Sequence, residues 1–244
     1  MKLDILAFAA HPDDVELSCS GTIAKEISLG KRVGIVDFTQ GELGSRGSAA
    51  LRAIEANASS ELLRLSCREN LSMPDGFFEI KHENLLAVIQ QIRRYQPEVV
   101  LANATSDRHP DHGRAASLVA RACFLSGLIK VETNDKQGAK QKHWRPKALY
   151  HYIQDRYLKP DFVVDITGYM PTKMAAIKAF KSQFYDPGNP SGEVETPISN
   201  EAFLNFIEAR AREFGRTINA GLAKDLLQIE HPEYKVYSIY SSFL

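Results

Sequence analysis

Apolar runs of strand length alternate along the chain with longer segments whose apolar positions recur at helical spacing. LDILAFAA (3–10) reads as a first strand, and ELSCSGTIAKEISLG (16–30) as one helix closed by Gly30. RVGIVDFT (32–39) follows as a second strand, RGSAALRAIEANASSELLRL (46–65) as a helix and ENLSMPD (69–75) as a short third strand. A helix over 83–95, a fourth strand over 98–103 behind Pro97 and a helix over 113–125 complete the first half. Strands this apolar, separated by helices, are buried on both faces, as in a parallel sheet. The expected architecture is α/β: a Rossmann-like, doubly wound, mainly parallel sheet with helices on both faces. The second half adds expected strands at 148–153, 162–167 and 234–240, and helices at 171–183 and 199–216. Polar stretches at 133–143 and 186–197 are long enough to be either lids or surface excursions. No Pro/Gly/Ser-rich linker divides the chain, so residues 1–244 are expected to form a single domain.

Composition narrows the function class. The chain has 244 residues, 44% of them hydrophobic, which suits one sizeable core. Lys+Arg and Asp+Glu balance at 30 each, so a broad nucleic-acid footprint, which needs a basic excess, is not expected. Cys19, Cys67 and Cys123 are odd in number and lie far apart. That suits small thiols in a reducing compartment better than a disulfide framework or a cysteine zinc site. Asp4 interrupts the N-terminal apolar run, so no signal peptide is expected, and no stretch reaches the roughly 20 apolar residues of a membrane helix. These features predict a cytoplasmic protein without membrane or nucleic-acid partners.

Two polar clusters carry the chemistry. AHPDDVEL (10–17) follows the first strand and SDRHPDHG (106–113) follows the fourth. In a doubly wound sheet of order 3-2-1-4 those strands are neighbours, and ligands bind beyond their carboxyl ends. His11, Asp13 and Asp14 would then share one crevice with His109, Asp111 and His112. So many titratable side chains in one place need a countercharge, and a divalent metal is the simplest. Two imidazoles and a carboxylate form a catalytic zinc shell with a fourth position open. Asp13 and Asp14 need not do the same job: one can bind the ion while the other handles the proton of a bound water. His109 and His112 either both bind metal, or one does while the other, held charged by Asp111, polarises a substrate carbonyl. The same donor set also binds Fe2+, which leaves a non-haem oxygenase as a second reading. A sugar-binding module that keeps a metal site is a third, although binding alone would not need Asp13, His109 and Asp111. His82, His143, His151 and His231 lack acidic partners at useful spacing and read as surface or packing residues, and Cys19 reads as a buried helical thiol.

AHPDDVE together with RHPDH resembles the LmbE-like, or PIG-L, zinc-dependent deacetylases of N-acetylglucosamine units. GELGSRGSAALRAIEA (41–56) and KSQF (181–184) look closer to one branch, the bacillithiol biosynthesis deacetylases acting on N-acetylglucosaminyl malate. The resemblance implies zinc on His11, Asp14 and His112. It implies Asp13 as general base and then acid, and His109 as oxyanion stabiliser oriented by Asp111. Arg52 and Arg108 resemble the family's substrate-binding arginines, with Gln183 and Tyr185 as further candidates. Guanidinium forks would suit an anionic amino-sugar, because malate brings two carboxylates. Chitooligosaccharides and inositol glycosides remain rival substrates, and the resemblance also implies a homo-oligomer, often a hexamer.

Overall fold

A computed structural model describes residues 1–188 and 194–228. In chain order it contains β1 (Ile5–Ala9), α1 (Asp14–Ser18), α2 (Ser20–Ser28), β2 (Val33–Asp37), α3 (Ala49–Leu63), β3 (Cys67–Asn70) and α4 (His82–Tyr95). There follow β4 (Val99–Ala102), α5 (Pro110–Ser126), β5 (Ala148–Tyr152), β6 (Phe162–Asp165), α6 (Met170–Lys178), α7 (Glu201–Arg216) and β7 (Ala223–Gln228). The sheet order is β3-β2-β1-β4-β5-β7-β6. The first five strands are parallel, with Ile5 level with Val33 on one side and Val99 on the other. The expected order 3-2-1-4 is what the chain adopts.

Alternation along β1 builds two cores. Ile5, Ala7 and Ala9 face a cluster holding Val15 of α1, Ile23 of α2, Ile177 of α6 and Ile207 of α7. Leu6 and Phe8 face the opposite cluster, which includes Val88 and Ile92 of α4 and Leu118 and Val119 of α5. With period-2 alternation and apolar residues at both phases, a central strand must be covered on both faces. Helix caps are local: Ser48 Oγ accepts from Leu51 N at 3.2 Å, and Asn200 Oδ1 accepts from Phe203 N at 2.9 Å.

Four expectations change. The third strand, expected over 69–75, is β3 at Cys67–Asn70, and the chain leaves the sheet before Ser72, whose φ is positive. The segment 16–30 is two helices, not one. The buried Lys173 of α6 inserts its Nζ among the carbonyl oxygens of Glu16 (3.1 Å), Leu17 (2.5 Å) and Ser18 (3.0 Å), and so closes α1 ahead of the buried Cys19. β7 (Ala223–Gln228) inserts antiparallel between β5 and β6, whereas the expected strand at 234–240 lies outside the described residues. The stretch 133–143 is a compact turn carrying an Asn134–Lys140 bridge; it packs on α4 through Gln90 and Gln141. None of it lines the cavity described below. Within 186–197, residues 189–193 lie outside the described residues. Among the described residues, no helix is long and apolar enough to cross a membrane.

Candidate metal and catalytic site

A cavity of about 310 Å³ opens at the carboxyl ends of β1 and β4, where the chain reverses its winding direction. His11, Asp13, Asp14, His109 and His112 line one end of it, with Arg52 and Arg108. The two polar clusters, roughly a hundred residues apart in sequence, therefore meet. His11 and His112 ring centroids are 5.7 Å apart, and His11 and His109 4.6 Å.

Each histidine of the expected metal shell has its two nitrogens divided between different partners. His11 Nε2 lies 2.9 Å from Asp75 Oδ1 and 3.3 Å from Asp111 Oδ2, while its Nδ1 faces Asp14 Oδ2 at 3.7 Å. His112 Nδ1 lies 2.5 Å from Asp107 Oδ2, and its Nε2 is 3.1 Å from Asp14 Oδ1. One nitrogen of each ring is thus anchored on a carboxylate, and the other points to Asp14. An outer carboxylate on a metal-binding imidazole fixes its tautomer and raises its basicity. His11, Asp14 and His112 suit zinc in donor type and in this outer support. Among the described residues, the donor sets whose ligand atoms all lie within 4.8 Å of one another are His11, His109 and His112, and His11, Asp75 and Asp111; the expected trio of His11, Asp14 and His112 is not one of them.

Electrostatics agree with a site built around positive charge. Burial works against a charged His11, yet hydrogen bonds to Asp111, Asp14 and Asp75 hold its pKa well above the ordinary value. Burial also opposes a charged His112, but Asp14 and Asp107 push its pKa up to about 9. Burial would raise Asp14, and the His112 and His11 rings instead hold its carboxyl well below the usual range. Protons on the two imidazoles stand where a divalent ion would otherwise meet this charge.

Asp13 differs from its neighbour. Its carboxyl is buried away from the Asp14 contacts, and burial pushes it up to about 7 against the pull of Arg52. Its backbone sits at φ 121°, ψ −23°, a region a non-glycine residue seldom occupies. The tight turn after Pro12 sends the two adjacent carboxylates in different directions.

His109 is the N-cap of α5, extended because Pro110 follows it, and its Nδ1 accepts from Asp111 N at 3.3 Å. That bond places the imidazole proton on Nε2, so His109 is a neutral donor. Burial and the charges of His11 and His112 lower its pKa. The expected pairing of Asp111 with His109 is corrected here. The Asp111 carboxylate accepts from Gly76 N (2.9 Å) and Arg114 Nη1 (2.6 Å) and faces His11 Nε2. Helix α5 starts at Pro110 and turns the Asp111 side chain toward the loop after β3, so only its backbone reaches His109.

The two arginines occupy different depths. Arg52, buried on α3, reaches Pro12 O at 3.3 Å, the Gln183 Oε1 carbonyl and, at 3.6 Å, Asp13 Oδ2. Gly41 lets it pass: a Cβ there would sit 2.5 Å from Arg52 Nη1. Arg108 is half exposed at the rim, donating from Nε to Asp155 Oδ2 at 2.9 Å. Gln183 is buried and also donates to Arg46 O at 2.9 Å, Tyr185 is exposed, and neither lines the cavity. His151 is fully buried, with Nδ1 on Asn103 O at 2.6 Å, so it is a packing residue and not a surface one.

Asp75, Asn103, Asp107 and Gln154 were not visible as site residues in sequence. Asp107 had a signal, lying two residues before His109. Asp75 and Asn103 stand at the ends of apolar runs, and Gln154 has no local signal.

Comparisons with known proteins follow this geometry. The family described as "PIG-L: GlcNAc-PI de-N-acetylase" matches residues 6–123. A diacetylchitobiose deacetylase of Thermococcus kodakarensis is 27% identical over 190 residues, 74% of this chain and 70% of its own length. A 1D-myo-inositol 2-acetamido-2-deoxy-alpha-D-glucopyranoside deacetylase of Actinosynnema mirum is 28% identical over 52% of this chain and 56% of its own. The crystal structure of a conserved protein from Thermus thermophilus superposes with a TM-score of 0.81 and 33% identity over 98% of both chains.

Proposed function

We propose that this chain, which matches the PIG-L family of de-N-acetylases over residues 6–123, is a metal-dependent amide hydrolase removing the acetyl group from an N-acetylglucosaminide. The observation that carries this reading is the division of labour beside Asp14. Two imidazoles with carboxylate backing face one carboxylate, and a second carboxyl, on Asp13, stands apart with a pKa near neutrality.

His11, Asp14 and His112 would hold zinc, with Fe2+ as the alternative. The ion, when bound, supplies Lewis acidity to a water and to the amide carbonyl. Asp13, poised near neutral pH, accepts the water's proton and returns it to the departing nitrogen as the C–N bond breaks. Water adds across that bond, giving acetate and the free amine. His109 offers its Nε2–H to the carbonyl oxygen as negative charge develops, a service worth about 3–4 kcal/mol in comparable sites. Asp111 fixes the floor beneath His11 through Gly76 and Arg114.

The substrate we favour is N-acetylglucosaminyl malate, in bacillithiol biosynthesis. Support comes from the resemblance of residues 41–56 and from the two arginines, Arg52 in the wall and Arg108 at the rim of the cavity. The relatives acting on diacetylchitobiose and on the inositol glycoside support the rival aglycones. Three free cysteines support a cytoplasmic location. Self-association is supported by the outer face of α3, where Leu51, Ile54 and Leu62 are exposed on a helix whose other face holds Arg52.

The test is acetate release from zinc-loaded protein, comparing the malate glycoside with diacetylchitobiose. The expected outcome is turnover that falls about 10²–10⁴-fold in D13N at unchanged zinc content. Full activity in D13N would remove Asp13 from the reaction, and preference for the neutral disaccharide would remove the malate assignment.

A further inference from the structure

Asp14 is held by two uncharged amides whose orientation is not arbitrary. Asn103, just past β4, accepts from Ala10 N through Oδ1 at 3.0 Å. A backbone N–H can only donate, so the Asn103 Nδ2 group must face the other way, and it donates to Asp14 Oδ2 at 2.9 Å. Gln154, just past β5, is fixed by the same logic. Its Oε1 accepts from Ala104 N at 3.2 Å and from Asn103 Nδ2 at 3.0 Å, which leaves Nε2 to donate to Asp14 Oδ1 at 3.0 Å. Each carboxylate oxygen therefore receives one side-chain amide N–H, Oδ2 also accepts the backbone N–H of His11 at 2.9 Å, and each side-chain amide is oriented by a main-chain donor.

The backbone around Gln154 is held as well. Arg210 of α7 donates to the Gln154 carbonyl, and Arg156 N donates to Asp107 Oδ1 at 2.8 Å. Asp107 is the carboxylate that backs His112, so the segment carrying Gln154 is tied to a second member of the shell.

We infer that Gln154, acting with Asn103, is a positioning residue that fixes the Asp14 carboxylate and so sets how tightly the site retains its metal. This rests on the reading of Asp14 as a metal ligand. Gln154 lines the cavity, which would also allow a substrate contact. Protein groups, however, fill both acceptor positions on its oxygen, and its Nε2 donates to Asp14 Oδ1 and lies 3.5 Å from His112 Nε2. An ordered donor on each oxygen removes the rotation that would otherwise be lost when the carboxylate takes up an ion.

The experiment is zinc affinity by chelator competition in wild type, Q154M and Q154N. Methionine has the length of glutamine without an N–H; asparagine keeps the amide but falls one methylene short of joining Ala104 to Asp14. Both are expected to weaken zinc binding by about 10–100-fold, the usual effect of losing an outer-shell partner. With zinc in excess, KM should stay within about two-fold of wild type, and the zinc-dependent rise in melting temperature, measured against each variant's own zinc-free curve, should shrink. Unchanged zinc affinity in either folded variant, or a raised KM with unchanged affinity, would overturn the inference. Failure of the wild-type protein to bind zinc would instead overturn the metal reading.

Discussion

The turn that presents Asp13 and Asp14 rests on a buried ion cluster, and breaking it should cost the protein several kcal/mol. Arg68 of β3 donates from Nη1 to Glu16 Oε1 at 2.6 Å, from Nε to Asp37 Oδ2 at 2.7 Å and from Nη2 to Asp37 Oδ1 at 3.0 Å. Glu16, on α1, is fully buried and also accepts from Ser59 Oγ of α3 at 2.7 Å, so four elements meet at one guanidinium. R68M keeps much of the side-chain volume but leaves two buried carboxylates without their cation. Removing one partner of a buried pair costs about 3–5 kcal/mol, against a total stability of about 5–15 kcal/mol. With a urea m-value of about 3 kcal/mol/M, the midpoint should fall by roughly 1–2 M.

The loss should depend on pH with a definite sign. Burial raises the Asp37 carboxyl even beside Arg68, and without that cation it climbs further. A folded-state pKa above the unfolded value of about 4 means the folded protein binds the extra proton. That contribution is intact below the unfolded value and is lost as pH rises through the folded one. The R68M deficit should therefore widen from pH 5 to pH 8 when measured by urea denaturation in chelator. The triple variant E16Q/D37N/R68M, with no charge left to strand, should recover most of the loss. A deficit under about 1 kcal/mol at pH 7.5, or one that narrows with rising pH, would refute the reasoning.

Two further outcomes follow from the site and its surroundings. D107A, which takes the carboxylate from His112 Nδ1, should weaken zinc binding by about 10–100-fold in a chelator titration. I54E, which charges the apolar outer face of α3, should shift the protein to smaller species in light scattering while leaving the melting temperature of the subunit within about 2 °C, as expected for an exposed position.

How much of this was legible in the sequence depended on range. Strands β1, β2 and β4 and the strand order followed from apolar runs broken by helical spacing, because burial on both faces leaves a continuous signature; β3, the polar edge strand CREN, lies before most of the stretch expected for it. HPDD and HPDH declared themselves through residue types that are costly to place together, and topology then supplied their meeting. The break at Cys19 was hidden, since the residue that closes α1 is Lys173, far along the chain. β7 was hidden too, for AKDLLQ lacks clean alternation and its pairing is settled by β5 and β6. The orientation of Asp111 went the same way in part: Gly76 is delivered by the loop after β3, whereas Arg114 lies three residues along the same helix. Local chemistry was readable; partners brought in by long-range packing were not.

The placement of Gln154 on the fifth strand's far tip has a temporal consequence. A nascent polypeptide leaving the ribosome possesses both imidazoles of the shell well before this amide has been synthesised. The surroundings of Asp14 are consequently completed late in translation, and N-terminal fragments that stop after α5 should scavenge zinc poorly even though they contain His11, Asp14 and His112.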